Sequence, residues 1–390
     1  VPESATPPKR RAAQSAARKK AELQRAGLDA IESFLVERIG AGLGSFSDKN
    51  RESLAEQIAR AGDADLSGPR DLLKRLAATL EEAPPQSDPT QEARNALTGT
   101  QLQPPRSASP EEKAARVGDL VARLWALVRK GKKVLDEWLA SEESAPDAAV
   151  ASMLGKRWQL SELLASGFAV RGVSLLELAH ELHEDEITEN VITTGHLLSL
   201  DTGDIWQEKT IIPFQALRAK NIYHRSSRAG VLLVKEAALY PGPHVNRRVR
   251  WNERDPEAAI ERPRTAADYQ RLHALARPLD EALQRYREQR KDPLAAQEAV
   301  FLLDAAKFGL LPLSAPNPGA LVMEDRAGKR LVFRDPPWAR EPTTETLAVA
   351  VAGHGPGSVV ARFWLDPQER NVYGQALALV VGEEHLRLSL

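Results

Sequence analysis

His180-Glu181-Leu182-His183-Glu184-Asp185-Glu186 is the densest polar run of the chain. Imidazole and carboxylate groups are metal ligands, and on a helix His180 would share a face with His183 and Glu184, so the three could reach one ion. The spacing is His-x-x-His rather than the His-Glu-x-x-His of zinc peptidases. A solvated acidic helix end, a surface charge pair or a partner contact are the alternatives. Arg247-Arg248-Val249-Arg250-Trp251 is the best basic patch with an aromatic beside it. On a strand, Arg248 and Arg250 share one face while Arg247, Val249 and Trp251 share the other. Such a patch could hold a phosphate backbone and stack a base; equally, Trp251 could fill a sheet core with arginines at its rim. Lys9, Arg10, Arg11, Arg18, Lys19, Lys20 and Arg25 face a single acid, Glu22, over one stretch. They read as a phosphate-contacting arm or as the solvated start of a long helix. No aromatic is interleaved with them. The candidate nucleic-acid contacts are therefore Lys9, Arg10, Arg11, Arg18, Lys19, Lys20, Arg247, Arg248, Arg250 and Trp251. The candidate metal ligands are His180, His183 and Glu184. No catalytic residue and no cofactor is expected.

Leu200-Asp201-Thr202-Gly203 resembles the motif of aspartic proteases. That chemistry needs two carboxylates sharing one proton, and there is no second copy, so catalysis would require a symmetric dimer. The competing reading is a hairpin turn, for which Asp and Gly are the expected residues. Gly353-His354-Gly355-Pro356-Gly357 lacks the Gly-Lys-Ser/Thr ending of a phosphate loop, and Pro356 removes a donor; it reads as a turn.

The elements that must position these groups change in kind along the chain. Leu28, Ile31, Leu35 and Ile39 follow a helical period, as do Leu54 and Ile58, then Leu72 to Leu80. Six prolines between Ala83 and Pro110 read as a linker. Ser109, Pro110 and Glu112 then make a capping box for a helix whose stripe is Val117, Leu120, Val121, Leu124, Leu127 and Val128. Trp158 to Leu164 and Leu175 to Leu178 suggest further helices. After Asn190 strands take over: a hairpin at His196–Ile212, then Gly230–Lys235 and Arg247–Trp251. A helix capped by Thr265 with Asp268 at its third position follows, and another around Ala295–Lys307. Ala320–Met323 and Arg330–Phe333 make a hairpin, and Val359–Leu365, Ala376–Val381 and Leu386–Leu390 complete a small antiparallel sheet or partly open barrel.

The chain has 390 residues and a formal net charge of −1, which argues against a protein that is basic throughout. It has no cysteine, so disulfides, thiol catalysis, iron–sulfur clusters and cysteine-ligated zinc are excluded within it. No apolar run approaches the roughly 18 residues of a membrane-spanning helix. The opening Val1-Pro2-Glu3 lacks the order of a signal peptide and is expected of a piece of a longer protein. Seven tryptophans suit large cores and partner anchors alike.

Several stretches resemble the region that follows the zinc finger in bacterial SWIM-type zinc-finger proteins, which are often encoded beside MoxR-type ATPases and von Willebrand A proteins. They are Val1-Pro2-Glu3, the run Lys9–Ile39, Leu54–Ile58 leading to Leu76, Leu200–Trp206, Ala237–Gly242 and Arg247–Trp251. The finger's Cys-x-Cys and Cys-x-His ligands have no counterpart, so none carries over. The resemblance implies a non-enzymatic role in nucleic-acid or protein association.

The expected fold is α+β, an N-terminal helical array followed by an antiparallel strand-rich region with a helical insert. The expected divisions are 1–83, a basic helical segment; 84–110, a linker; 111–190, a helical domain; 191–317, a mixed region; and 318–390, C-terminal strands. The expected role is a cytoplasmic scaffold or adaptor in a bacterial assembly, with a protein partner, an ATPase-containing complex among the options, and no membrane. Nucleic-acid binding through the basic patches is the alternative, and a metal-dependent or aspartic-protease-like enzyme a third.

Overall fold

The computed structural model describes residues 8–42, 51–81, 110–141, 147–220, 227–242, 245–312, 314, 319–339 and 342–388. The linker expected at 84–110, apart from Pro110, and the Ser109 cap lie outside them. The chain divides into two compact units, Val1–Arg157 and Trp158–Leu390, and its class is α+β as expected.

The first unit is helical: α1 (Pro8–Gly40), α2 (Arg51–Asp63), α3 (Ser67–Glu81), α4 (Pro110–Ala140) and α5 (Ala148–Leu154). Leu28, Ile31 and Leu35 of α1 are fully buried, as the period required, whereas Ile39 of the same expected stripe is exposed; Leu124, Val128 and Leu135 of α4 are buried too, and the two helices are in contact. The helices run antiparallel, as their ion pairs record: Arg25 with Asp136, Lys132 with Asp29, and Arg129 with Glu32. Gly131 permits this approach, since a Cβ there would lie 2.9 Å from Leu154 and 3.0 Å from Leu28.

The second unit holds α6 (Leu160–Ala165) and then two barrels. The first uses β1 (Ala169–Asp185), β2 (Asn190–Ser199), β3 (Ile205–Pro213), β4 (Val231–Leu239) and β5 (Arg248–Trp251), with β6 (Ala259–Arg262) added beside β4. The first half of β1 pairs with β4 and its second half with β2, so one long strand closes the ring β1-β2-β3-β5-β4. β3 and β5 are parallel, and α7 (Phe214–Lys220) joins β3 to β4. Leu175, Leu197, Trp206, Leu232, Val234, Val249 and Trp251 fill the interior.

After α8 (Ala266–Ala274) and α9 (Leu279–Arg290), the second barrel repeats that plan. Its strands are β7 (Ala299–Asp304), β8 (Lys307–Leu310), β9 (Leu321–Glu324), β10 (Arg330–Val332), β11 (Ser358–Asp366) and β12 (Asn371–Val381), with β13 (Glu384–Arg387) beside β12. β7 and β8 act as one bent first strand: β7 pairs with β11 and β8 with β9. The ring closes where Phe333, just past β10, bridges Gly374 of β12 in parallel, and Arg334 N–H donates to the Gly374 carbonyl at 2.9 Å. A Cβ at Gly374 would lie 2.8 Å from Leu331, so glycine lets the two strands meet. α10 (Thr343–His354) joins β10 to β11, just as α7 joins β3 to β4. In both barrels the strand order is 1-2-3-5-4-1 with strands 3 and 5 parallel and a helix between strands 3 and 4. This five-stranded Greek-key plan is that of the OB fold.

Two expectations fail for one reason. Leu175–Leu178, expected as a helix, belongs to β1, which runs on to Asp185, and Ala295–Lys307, also expected as a helix, contains β7. β7, and β1 over Leu175–Ala179, are buried on two faces, so neither stretch shows the alternation that marks a half-exposed strand. The helical unit therefore ends at Arg157 rather than near residue 190. The capping box of Thr265 and Asp268 is present, and where one helix was expected there are two, α8 and α9, with Pro278 as the N-cap of the second.

Candidate functional site

The proposed metal ligands do not converge. His180 and His183 lie on β1, opposite Gly195 and Ile192 of β2. Three residues apart on an extended strand, their side chains take opposite faces, and Glu184 stands roughly 13 Å along the strand from His180. Among the described residues no group of three His, Asp or Glu side chains could hold a metal ion. Asp201 and Gly203 form the β2–β3 turn: the Asp201 carboxylate accepts the Ser174 N–H at 2.9 Å, and Gly203 has φ +75°.

The Arg247–Trp251 patch is largely spent on the barrel itself. Trp251 is 4% exposed inside it, so no base can stack there. The Arg228 guanidinium covers its ring at 5.6 Å. Arg247 donates to the carbonyls of Leu239 and Tyr240, and Arg248 lies 4.7 Å over the Tyr240 ring while donating to the Lys209 carbonyl at 2.9 Å. Arg250 alone of the four is exposed. Within the basic arm, Arg18, Lys19 and Lys20 are exposed on α1, with Arg18 3.4 Å from Glu22 and Lys20 paired with Asp65. The Lys9, Arg10 and Arg11 side chains lie outside the described residues.

Sequence reasoning missed the groups that join the barrels. The outer face of β1, β2 and β3 (Leu176, Leu178, Leu198, Ile205) packs on that of β7, β11 and β12 (Val300, Leu302, Val360, Ala378, Val380). Within this seam Arg362 pairs with Glu181, reaches Glu298 at 3.0 Å and donates to Gln375 at 2.9 Å, while His196 Nε2 meets Glu181 at 2.7 Å. Burial alone would raise the Glu181 carboxyl, but Arg362 and His196 outweigh it and hold the group far below the usual carboxylate range. A second polar junction joins β13 to β1. His385 donates from Nε2 to the Leu178 carbonyl at 2.8 Å and accepts from Arg264 at Nδ1, and Arg387 lies 3.3 Å from Glu177. Desolvation, with Arg264 and Arg387 close by, pushes His385 down to about 4.

One large aromatic stands out of the second barrel. Trp338, in the connection between β10 and α10, is 51% exposed and rests edge-on against Trp364 at 5.5 Å. Trp364 is buried, donates to the Arg334 carbonyl at 3.0 Å and packs on Tyr373 at 5.3 Å. Pro336 and Pro337 precede Trp338 and restrict its backbone. Comparison with protein-family models, curated proteins and solved structures finds no match to this chain.

Proposed function

We propose that the chain is a non-enzymatic scaffold or adaptor that docks a protein partner through the second barrel, with Trp338 as the anchor. The observation that carries this reading is the exposure of Trp338 on a fixed base of Trp364 and Tyr373. An exposed indole held in place by buried neighbours and two prolines loses little entropy on binding, and tryptophans of this kind dominate protein interfaces. An ATPase-containing assembly in a bacterial cytoplasm is the partner that the sequence resemblance suggests. Trp338→Ala is expected to cost about 2 kcal/mol of docking, roughly thirty-fold in affinity. The test is recovery of the tagged chain from its native cells. A stoichiometric partner lost in the variant, with the melting temperature unchanged, supports the reading; the same partner at the same ratio overturns it.

A second reading, nucleic-acid contact, is favoured by the strand order of both barrels, since barrels of this plan serve as oligonucleotide platforms. Its footprint would include Arg18, Lys19 and Lys20 and would exclude Trp251. Binding to single-stranded and duplex DNA and RNA at two salt concentrations tests it. Salt-sensitive affinity that falls when those three are neutralised is the expected outcome, and no binding at low salt dismisses it.

A further inference from the structure

A cleft of about 450 Å³ opens at one end of the first barrel, between the β2–β3 turn, the β4–β5 connection and the start of β7. That volume lies in the range of small-ligand sites. Three guanidiniums line it, those of Arg247, Arg277 and Arg285, against one carboxylate, Asp204. Asp204 is shared, 3.5 Å from Arg277 and 3.3 Å from Arg285, and Glu281 on α9 also pairs with both. Arg247 differs from them. Among the described residues its partners are neutral, the carbonyls of Leu239 and Tyr240, and burial lowers its pKa.

The cleft wall is held rigidly. Asn246 takes φ +62°, a conformation that costs a side-chain-bearing residue about 1 kcal/mol. From there its amide donates to the carbonyls of Ile205 at 3.3 Å and Val300 at 2.9 Å, and its oxygen accepts the Val300 N–H at 2.6 Å. The β4–β5 connection that presents Arg247 is thereby tied to both barrels. In OB barrels this connection is one of the ligand-binding loops.

We propose that this cleft binds the phosphate group of a small phosphate ester. A half-buried guanidinium with no counter-ion among the described residues, flanked by two others that share their acids, favours an anion, and the planar fork of arginine matches phosphate oxygens in pairs. Ile205, Trp206, Val300 and Leu302 supply an apolar wall for the rest of the molecule. This site is independent of Trp338, so the docking proposal stands or falls separately.

The experiment is calorimetric titration of the full chain with AMP and with inorganic phosphate. Saturable AMP binding is expected, weakened at least about ten-fold in Arg285→Gln and lost in Arg247→Gln. Because Arg247→Gln also removes bonds to two backbone carbonyls, Arg285→Gln, whose side chain is 42% exposed, is the variant that leaves the fold intact. Binding of inorganic phosphate as well would place the recognition on the anion alone; binding of AMP only would add the ester body, and both outcomes support the site. No saturation by either probe at millimolar concentrations, or equal binding by Arg285→Gln, overturns it.

Discussion

The two barrels share a strand order and differ in what fills them and what they leave open. The first is filled by Trp206 and Trp251 and encloses an ion pair, Arg228 with Glu208 at 3.0 Å. The second is filled by Phe301, Met323, Leu331, Phe333 and Phe363, and α9 adds Tyr286, which meets Phe363 edge-on at 5.9 Å. Much of the outer face of strands 1 to 3 in the first barrel is covered by the second. In the second, the matching face (β8, β9 and β10) carries Lys307, Glu324 and Arg330 as a surface ion cluster. One backbone plan therefore gives one barrel whose strand 1 to 3 face is largely covered and one whose matching face carries charged pairs.

The most severe test of that division is a large cavity in either interior. Trp251→Ala and Phe363→Ala should each cost about 3 to 5 kcal/mol. If the apolar seam makes one cooperative body, urea unfolding of the second unit stays a single transition in both variants. Separate transitions for the two barrels would break the comparison.

The seam itself comes next. Arg362→Met leaves the low-lying Glu181 carboxylate buried without its main partner and should cost about 3 kcal/mol. Adding Glu181→Gln should restore part of that loss, read as a positive coupling in a double-mutant cycle of urea midpoints. Additive losses would show that the pair does not act across the seam.

His385 gives a pH-dependent version of the same test. Its folded pKa of about 4 lies below the ordinary histidine value of 6.5, so between those values the unfolded chain binds the proton and the folded chain does not. Stability from this group is full above pH 6.5 and falls as the pH drops towards 4, by about 2 kcal/mol after allowance for its partial exposure. His385→Gln should flatten that part of the stability profile. An unchanged slope would assign it to other groups.

Asn246 gives the smallest effect. Asn246→Ala keeps the positive φ and loses three bonds, whereas Asn246→Gly loses the bonds but relieves the backbone. The glycine variant should be more stable than the alanine variant by about 1 kcal/mol, measured by thermal melting. Equal stabilities would mean that the loop relaxes.

Where one face of an element meets water, its type could be read from the sequence. Leu28, Ile31 and Leu35 marked α1, Thr265 and Asp268 marked the start of α8, and Asp201-Thr202-Gly203 marked the β2–β3 turn. β7 and the Leu175–Ala179 stretch of β1 could not be read, because the barrel interior buries one face and the seam the other, leaving continuous buried runs with no period. The closure of each barrel was equally hidden. It depends on pairings such as Phe333 with Gly374, which no local pattern encodes. The same holds for the candidate sites. Arg247 and Trp251 were found as a motif, but their roles are set by Tyr240, Leu239 and the barrel core, and Glu181 meets Arg362 only through the packing of two barrels.

The central claim, that the second barrel docks a protein through Trp338, is tested most directly by site-specific photo-crosslinking. A photoreactive residue would replace Trp338 in cells, with the more accessible Val349 of α10, 74% exposed, as the control. A single discrete adduct from position 338, absent from position 349 and identified by mass spectrometry, is the predicted result. No adduct at 338, or the same background from both positions, would contradict the account.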